Sequence, residues 1–109
     1  MAFRKKPENV FKRKVVISDE NENGTISDRD FIAYFKVPSE TQLADAKSDS
    51  EVAALVLVRA EEVENEDGSP AIGKEALDIV LDDPRVCRAA SLIFFNDIKS
   101  KLNKSNKLK

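Results

Sequence analysis

Ser48-Asp-Ser-Glu51 opens the stretch that decides the fold. It runs through the apolar Val52–Val58 and the acidic Glu61-Glu-Val-Glu-Asn-Glu-Asp-Gly68 to Ser69-Pro70. Lys74-Glu-Ala-Leu-Asp-Ile-Val-Leu81 and Asp82-Asp83-Pro84 follow, then an apolar segment ending in Ile93-Phe94-Phe95. A serine with glutamate three residues later is a capping box: each side chain takes a free amide at a helix start. Val52–Val58 alone is ambiguous, because a β-branched apolar run also suits a buried strand. The capping box and the lack of flanking glycine favour a helix through about Val63. Asp67-Gly68-Ser69-Pro70 cannot continue a helix, so residues 65–70 are predicted to be a loop. Ile72, Ala76, Leu77, Val80 and Leu81 then recur at helical spacing. Asp83 is placed to cap a last helix, with Pro84 at its first position, where a missing amide costs nothing. Val86, Ala90, Ile93 and Phe94 form its inner stripe, which Ile98 and Leu102 extend.

Working back toward the amino terminus, Val15-Val16-Ile17 is a β-branched run that favours a strand over Val10–Ser18. Asp19–Gly24 is polar, and Asn23-Gly24 is a strong hairpin signal. Thr25–Val37 alternates, with Phe31, Ala33 and Phe35 on one face and Ile32, Tyr34 and Lys36 on the other. Pro38 ends that strand, and Ser39-Glu-Thr-Gln42 is another capping box, starting a short helix over about Glu40–Lys47. The expected fold is α+β, an antiparallel β-hairpin (residues 10–37) followed by a mostly helical body (38–102) of about four helices. Residues 1–9 read as a flexible basic arm and 103–109 as a disordered basic tail.

At 109 residues the chain reads as a single domain that can bury one modest core without disulfides or metal. Its longest apolar run, Val52–Val58, is far short of a membrane span. Met1–Lys6 is basic, but Pro7-Glu-Asn follows where a signal peptide has an apolar core. Cys87 is the sole cysteine, which points to a reducing, cytoplasmic setting. The net charge of −2 conceals a segregation. Residues 1–16 carry six basic side chains against Glu8, and residues 99–109 carry five lysines and no acid, so each end is +5. The remaining 7 basic and 19 acidic residues leave −12 on 17–98. Solvated ends that aid solubility are one reading; attraction between copies, or a partner docked on the acidic body, is the other. The basic ends lack interleaved aromatics or a reader motif, so no nucleic-acid partner is expected.

The residues offer little chemistry. There is no histidine, hence no histidine-based triad or metal site. Asp19-Glu-Asn21-Glu-Asn23-Gly24-Thr-Ile26-Ser27-Asp28-Arg29-Asp30 fits most of an EF-hand loop, with Asp19, Asn21, Asn23, Ser27 and Asp30 as candidate calcium ligands and Gly24 at the sharp turn. Against it stand an aspartate at the twelfth position, strand-like flanks and the lack of a second loop; a polar hairpin turn is the plainer reading. Cys87, between Arg85 and Arg88, sits among apolar helix positions and reads as a buried structural thiol. The acidic run Glu61–Asp67 reads as a solvated loop, with weak cation binding as its alternative.

The order of these segments resembles the tail assembly chaperones of long-tailed bacteriophages. The resemblance runs from about Val10 to Phe95. It rests on Phe31-Ile-Ala33-Tyr-Phe35-Lys36, on the apolar Leu55–Val63 and its acidic end, and on Asp67-Gly-Ser-Pro70. Glu75-Ala-Leu77, Val80-Leu81 and Pro84-Arg-Val86 complete it. Where members often carry a tryptophan, this chain has Arg59-Ala60. The resemblance implies a protein that is no enzyme and needs no cofactor. It would bind the long helical tape measure protein of the phage and keep it soluble while the tail tube polymerises around it. Self-association, contact with the tail tube protein and a longer frameshifted form of the chain are also implied. The site of action is the host cytoplasm, not the mature virion. Candidate contact residues are Val56, Leu57, Phe94 and Phe95, with the basic ends serving self-association.

Overall fold

A computed structural model describes residues 10–101; the expected arm and tail, and Leu102, lie outside them. The hairpin is present. β1 (Phe11–Glu20) and β2 (Ile26–Phe35) pair antiparallel, with Phe11 opposite Phe35 and Glu20 opposite Ile26. The turn is built as its residues dictate. Gly24 takes φ +80°, a left-handed conformation that costs a residue with a Cβ about 1–2 kcal/mol. The Asn21 side-chain oxygen accepts from the amides of Asn23 and Thr25. Val15 and Ile17 on β1, with Phe31, Ala33 and Phe35 on β2, all point to the buried face.

The sheet has a third strand that the sequence reading places inside a helix. Ser48 starts α2 (Asp49–Val56) as expected, its hydroxyl accepting the Glu51 amide. Glu51 reaches back one residue further than a capping box requires, to the Lys47 amide. The helix stops at Val56, and Leu57 turns directly into the extended conformation of β3 (Leu57–Glu61). The cause is β2. Its second edge would otherwise leave a row of backbone groups unpaired against the core. Ala33 faces Ala60 and Tyr34 faces Arg59, and a register shift beyond Tyr34 sets Phe35 opposite Leu57. The Lys36 amide then bonds the Val56 carbonyl. The N-terminal unit is thus a three-stranded antiparallel sheet, ordered β1-β2-β3. The expected helix through Val63 is shortened because tertiary pairing overrides the local signal.

Four helices make up most of the rest of the body. α1 (Glu40–Asp45) carries the expected capping box, with Ser39 and Gln42 bonding each other's backbone. Residues 65–69 form a tight turn between two short strands, β4 (Val63–Glu64) and β5 (Pro70–Ala71), so Pro70, expected in the loop, starts a strand. α3 (Lys74–Leu81) buries Ala76 and Val80; Ile72, read as part of its stripe, precedes the helix and is 80% exposed. α4 (Pro84–Ile93) begins at Pro84 with Asp83 as its cap, as expected. It continues as a π-helical segment over Phe94–Lys99. Its buried residues Val86, Ala90, Phe94 and Ile98 recur every four positions. An ideal α-helix drifts about 40° per such step, and the wider π turn takes up the drift. α4 packs on α2 and β1, α2 and α3 pack on β3, and α1 packs on α2. Phe35 on β2 and Phe94, both fully buried, contribute about 1.5–3 kcal/mol each to the core.

Candidate functional site

The distal half of the hairpin leans over the start of α4, where an ion network forms. Asp19 on β1 pairs with Arg29 on β2 and with Arg85 on α4. Arg29 also reaches Asp83 at 3.2 Å, and Asp83 caps α4 by accepting the Arg85 amide at 2.9 Å. The bond from Arg29 is the main cause holding the Asp19 carboxyl below its ordinary value, with Arg85 adding to it. At Asp83, burial pushes the carboxyl up, but the Arg85 amide and the two guanidinium groups outweigh it, and the net direction is down. A second pair, Arg13 with Asp97, ties β1 to the π-helical segment; this bond and that from Lys101 keep the Asp97 carboxyl low.

The candidate calcium ligands are dispersed by the pleat. Asp19 lies on the helix-facing side of the hairpin and is held by two arginines. Asp30 sits on β2 opposite Val16, on the other side, 3.6 Å from Lys14. The Asn21 side chain is engaged in the turn, and Ser27 faces Asp19 across the ladder. Strands flank Gly24 where the EF-hand reading requires helices. The five groups do not converge on one point.

Of the candidate partner contacts, Val56, Leu57 and Phe94 are 0, 3 and 0% exposed and hold the core together. Their apolar character serves packing, so they are unavailable to a partner in this conformation. Phe95 is 38% exposed, set edge-on to Phe94 with the Lys99 ammonium 5.5 Å from its ring centre. Leu92, three residues earlier on the same helical side, is 51% exposed. Sequence patterning could have found this pair, since i and i+3 share a helix face. Cys87 is buried, its thiol 3.3 Å from the Leu81 carbonyl, as a structural thiol should be.

A groove of about 1090 Å³ lies between the hairpin, the β4–β5 turn, the end of α3 and the start of α4. Phe31, Val63, Val80 and Val86 close its floor. Its walls carry six carboxylates, Glu62, Glu64, Glu66, Asp67, Asp82 and Asp83, against the single guanidinium of Arg29, while Asp30 at the rim turns its carboxylate to Lys14 on the other side of the hairpin. Arg29 is already committed to Asp19 and Asp83, whereas Glu62, Glu64, Glu66 and Asp82 form no ion pair among the described residues. Glu62 is held at φ +62°, the one non-glycine residue with positive φ among those described. The acidic run is legible in the sequence, but the groove is not: it needs β3, which turns the run back beneath the hairpin. No family model, curated protein or solved structure matches the chain.

Proposed function

We propose that this protein is a non-enzymatic tail assembly chaperone of a phage or prophage, which binds the tape measure protein and keeps it soluble in the host cytoplasm during tube polymerisation. The observation that carries the reading is the order of the segments that resemble that family. Each has a structural task in this fold. Phe31-Ile-Ala33-Tyr-Phe35 lies on the central strand, with Phe31, Ala33 and Phe35 in the core. Asp67-Gly-Ser-Pro70 makes the β4–β5 turn: Gly68 takes φ +87°, and Asp67 accepts from the Ser69 amide and hydroxyl. Pro84 starts α4. The family's tryptophan position falls at Arg59-Ala60 on β3, where Arg59 instead covers the Tyr34 ring at 4.0 Å on the uncovered face of the sheet.

A tape measure protein exposes apolar helical stripes until it is enclosed. Leu92 and Phe95, one turn apart at the surface, suit such a stripe; they replace Val56, Leu57 and Phe94 as proposed contacts. The test is a pull-down with the tagged chain from a lysate after prophage induction, with mass spectrometry of the eluate. Recovery of the tape measure protein, reduced at least about tenfold by Leu92→Asp with Phe95→Asp, supports the reading. A tape measure protein detected in the lysate but missing from the eluate overturns it.

A further inference from the structure

The acidic groove and the basic amino terminus are chemically complementary. We infer that the groove is a docking site for residues 1–9 of a second copy of this chain. The groove offers an apolar floor and a strongly negative wall, with its one guanidinium already paired. Residues 1–9 read Met-Ala-Phe-Arg-Lys-Lys-Pro-Glu-Asn. Phe3 is a large apolar anchor for the floor, and Arg4-Lys5-Lys6 places three consecutive cations against Glu62, Glu64 and Glu66. Each of those carboxylates lacks an ion-pair partner among the described residues. The carboxy-terminal residues 102–109 are a poorer match. Their lysines are spaced by asparagine and serine, and they contain no aromatic residue.

The topology favours a second copy over the same chain. The arm joins β1 just before Phe11, at the opposite end of the strand from Ile17, which lines the groove. At that end the inner face is occupied by the π-helical segment that Asp97 ties to Arg13. An arm from a neighbour is not tethered at that end, which favours a second copy as its source. Each copy then carries one donor and one acceptor. Association is head-to-tail and can extend into chains of copies or close into a ring. The contact requires no tape measure protein.

Sedimentation velocity of the full chain over a concentration series tests this. Wild type is expected to associate at low salt and to dissociate as salt rises from about 0.05 to about 0.5 M, which shortens the screening length roughly threefold. Two variants read the contact from each side: Arg4→Glu with Lys5→Glu and Lys6→Glu, and Glu62→Lys with Glu64→Lys and Glu66→Lys. Each alone should weaken association by about tenfold or more, and mixing the two should restore it, because opposite charges again face each other. The arm substitutions change none of the described residues, so that variant reports on docking even if the groove variant folds poorly. A wild type that stays monomeric at every concentration overturns the inference. So does association that survives both reversals, or that is lost only when Lys104, Lys107 and Lys109 are changed to glutamate.

Discussion

Asp83 shows how one carboxylate serves two purposes. Its oxygens cap α4 and bond Arg29, and through Arg29 and Arg85 they lock the hairpin to the helix start. Asp83→Ala is expected to destabilise the protein by about 1 kcal/mol, the usual loss for an aspartate cap. Asp83→Asn keeps a capping oxygen and should lose less; equal losses in chemical denaturation would argue that charge, not capping, dominates. The network also fixes the acid response. Asp19, Asp83 and Asp97 all have their carboxyl pKa values held below the ordinary aspartate value in the folded state. A group with a depressed folded pKa contributes stability above its unfolded value and loses it as pH falls through the folded one. The melting temperature should therefore fall as pH drops below about 4, and less steeply in Asp19→Asn. Calcium provides a third check. With Asp19 held by two arginines and Asp30 on the opposite side of the hairpin, millimolar calcium should leave the melting curve unchanged, and a calcium-dependent rise would revive the EF-hand reading. The cap was legible as Asp83-Pro84. The network was not, because Asp19, Arg29 and Arg85 are brought together only by the fold.

At the scale of elements, local signals located starts and turns better than ends. Ser39, Ser48 and Asp83 begin their helices where capping chemistry places them. Asn23-Gly24 and Asp67-Gly68 turn the chain, each at a glycine that takes a positive φ without strain. What a local reading misjudged was the end of α2. Val52–Val58 suits helix or strand, and the structure uses it as both, because the edge of β2 recruits Leu57 onward. The two short strands β4 and β5 were hidden for the same reason: two residues each are too few for an alternating pattern. The turn glycines give the prediction at this scale. Gly24→Ala should cost about 1–2 kcal/mol, because a Cβ there meets no hard contact and only the left-handed backbone is strained. Gly24→Asn, which tolerates that conformation better, should cost less. If alanine proved neutral in urea denaturation, the hairpin tip would have to be turning by some other geometry.

For the whole molecule, the division between buried and exposed chemistry decides what a partner can reach. The sequence's apolar pairs looked like anchors, yet Val56, Leu57 and Phe94 belong to one core that joins sheet and helices. That division follows from the third strand: once β3 closes the sheet, α2, α4 and the π-helical segment have a single apolar face to share, and the acidic run is left at the rim of a groove. Composition shows the charges and their segregation, but only the closed core shows that the acids line a concavity. Cys87 probes this closure directly. It is 1% exposed, on α4, which packs on α2 and β1, and its thiol lies against the Leu81 carbonyl. Local fraying of α1 or the hairpin tip does not uncover it, so reaction with a thiol reagent requires the core itself to open. For a domain of ordinary stability the open population is below about one in a thousand, so labelling of the native chain should be at least about a thousandfold slower than in denaturant. The rate should rise in Phe35→Ala, which removes about 3–5 kcal/mol from the same core. It should stay unchanged in Leu92→Asp, whose side chain lies outside it. Fast labelling of the native protein, unaffected by Phe35→Ala, would mean that α4 detaches from the sheet on its own and that sheet and helices do not share one cooperative core.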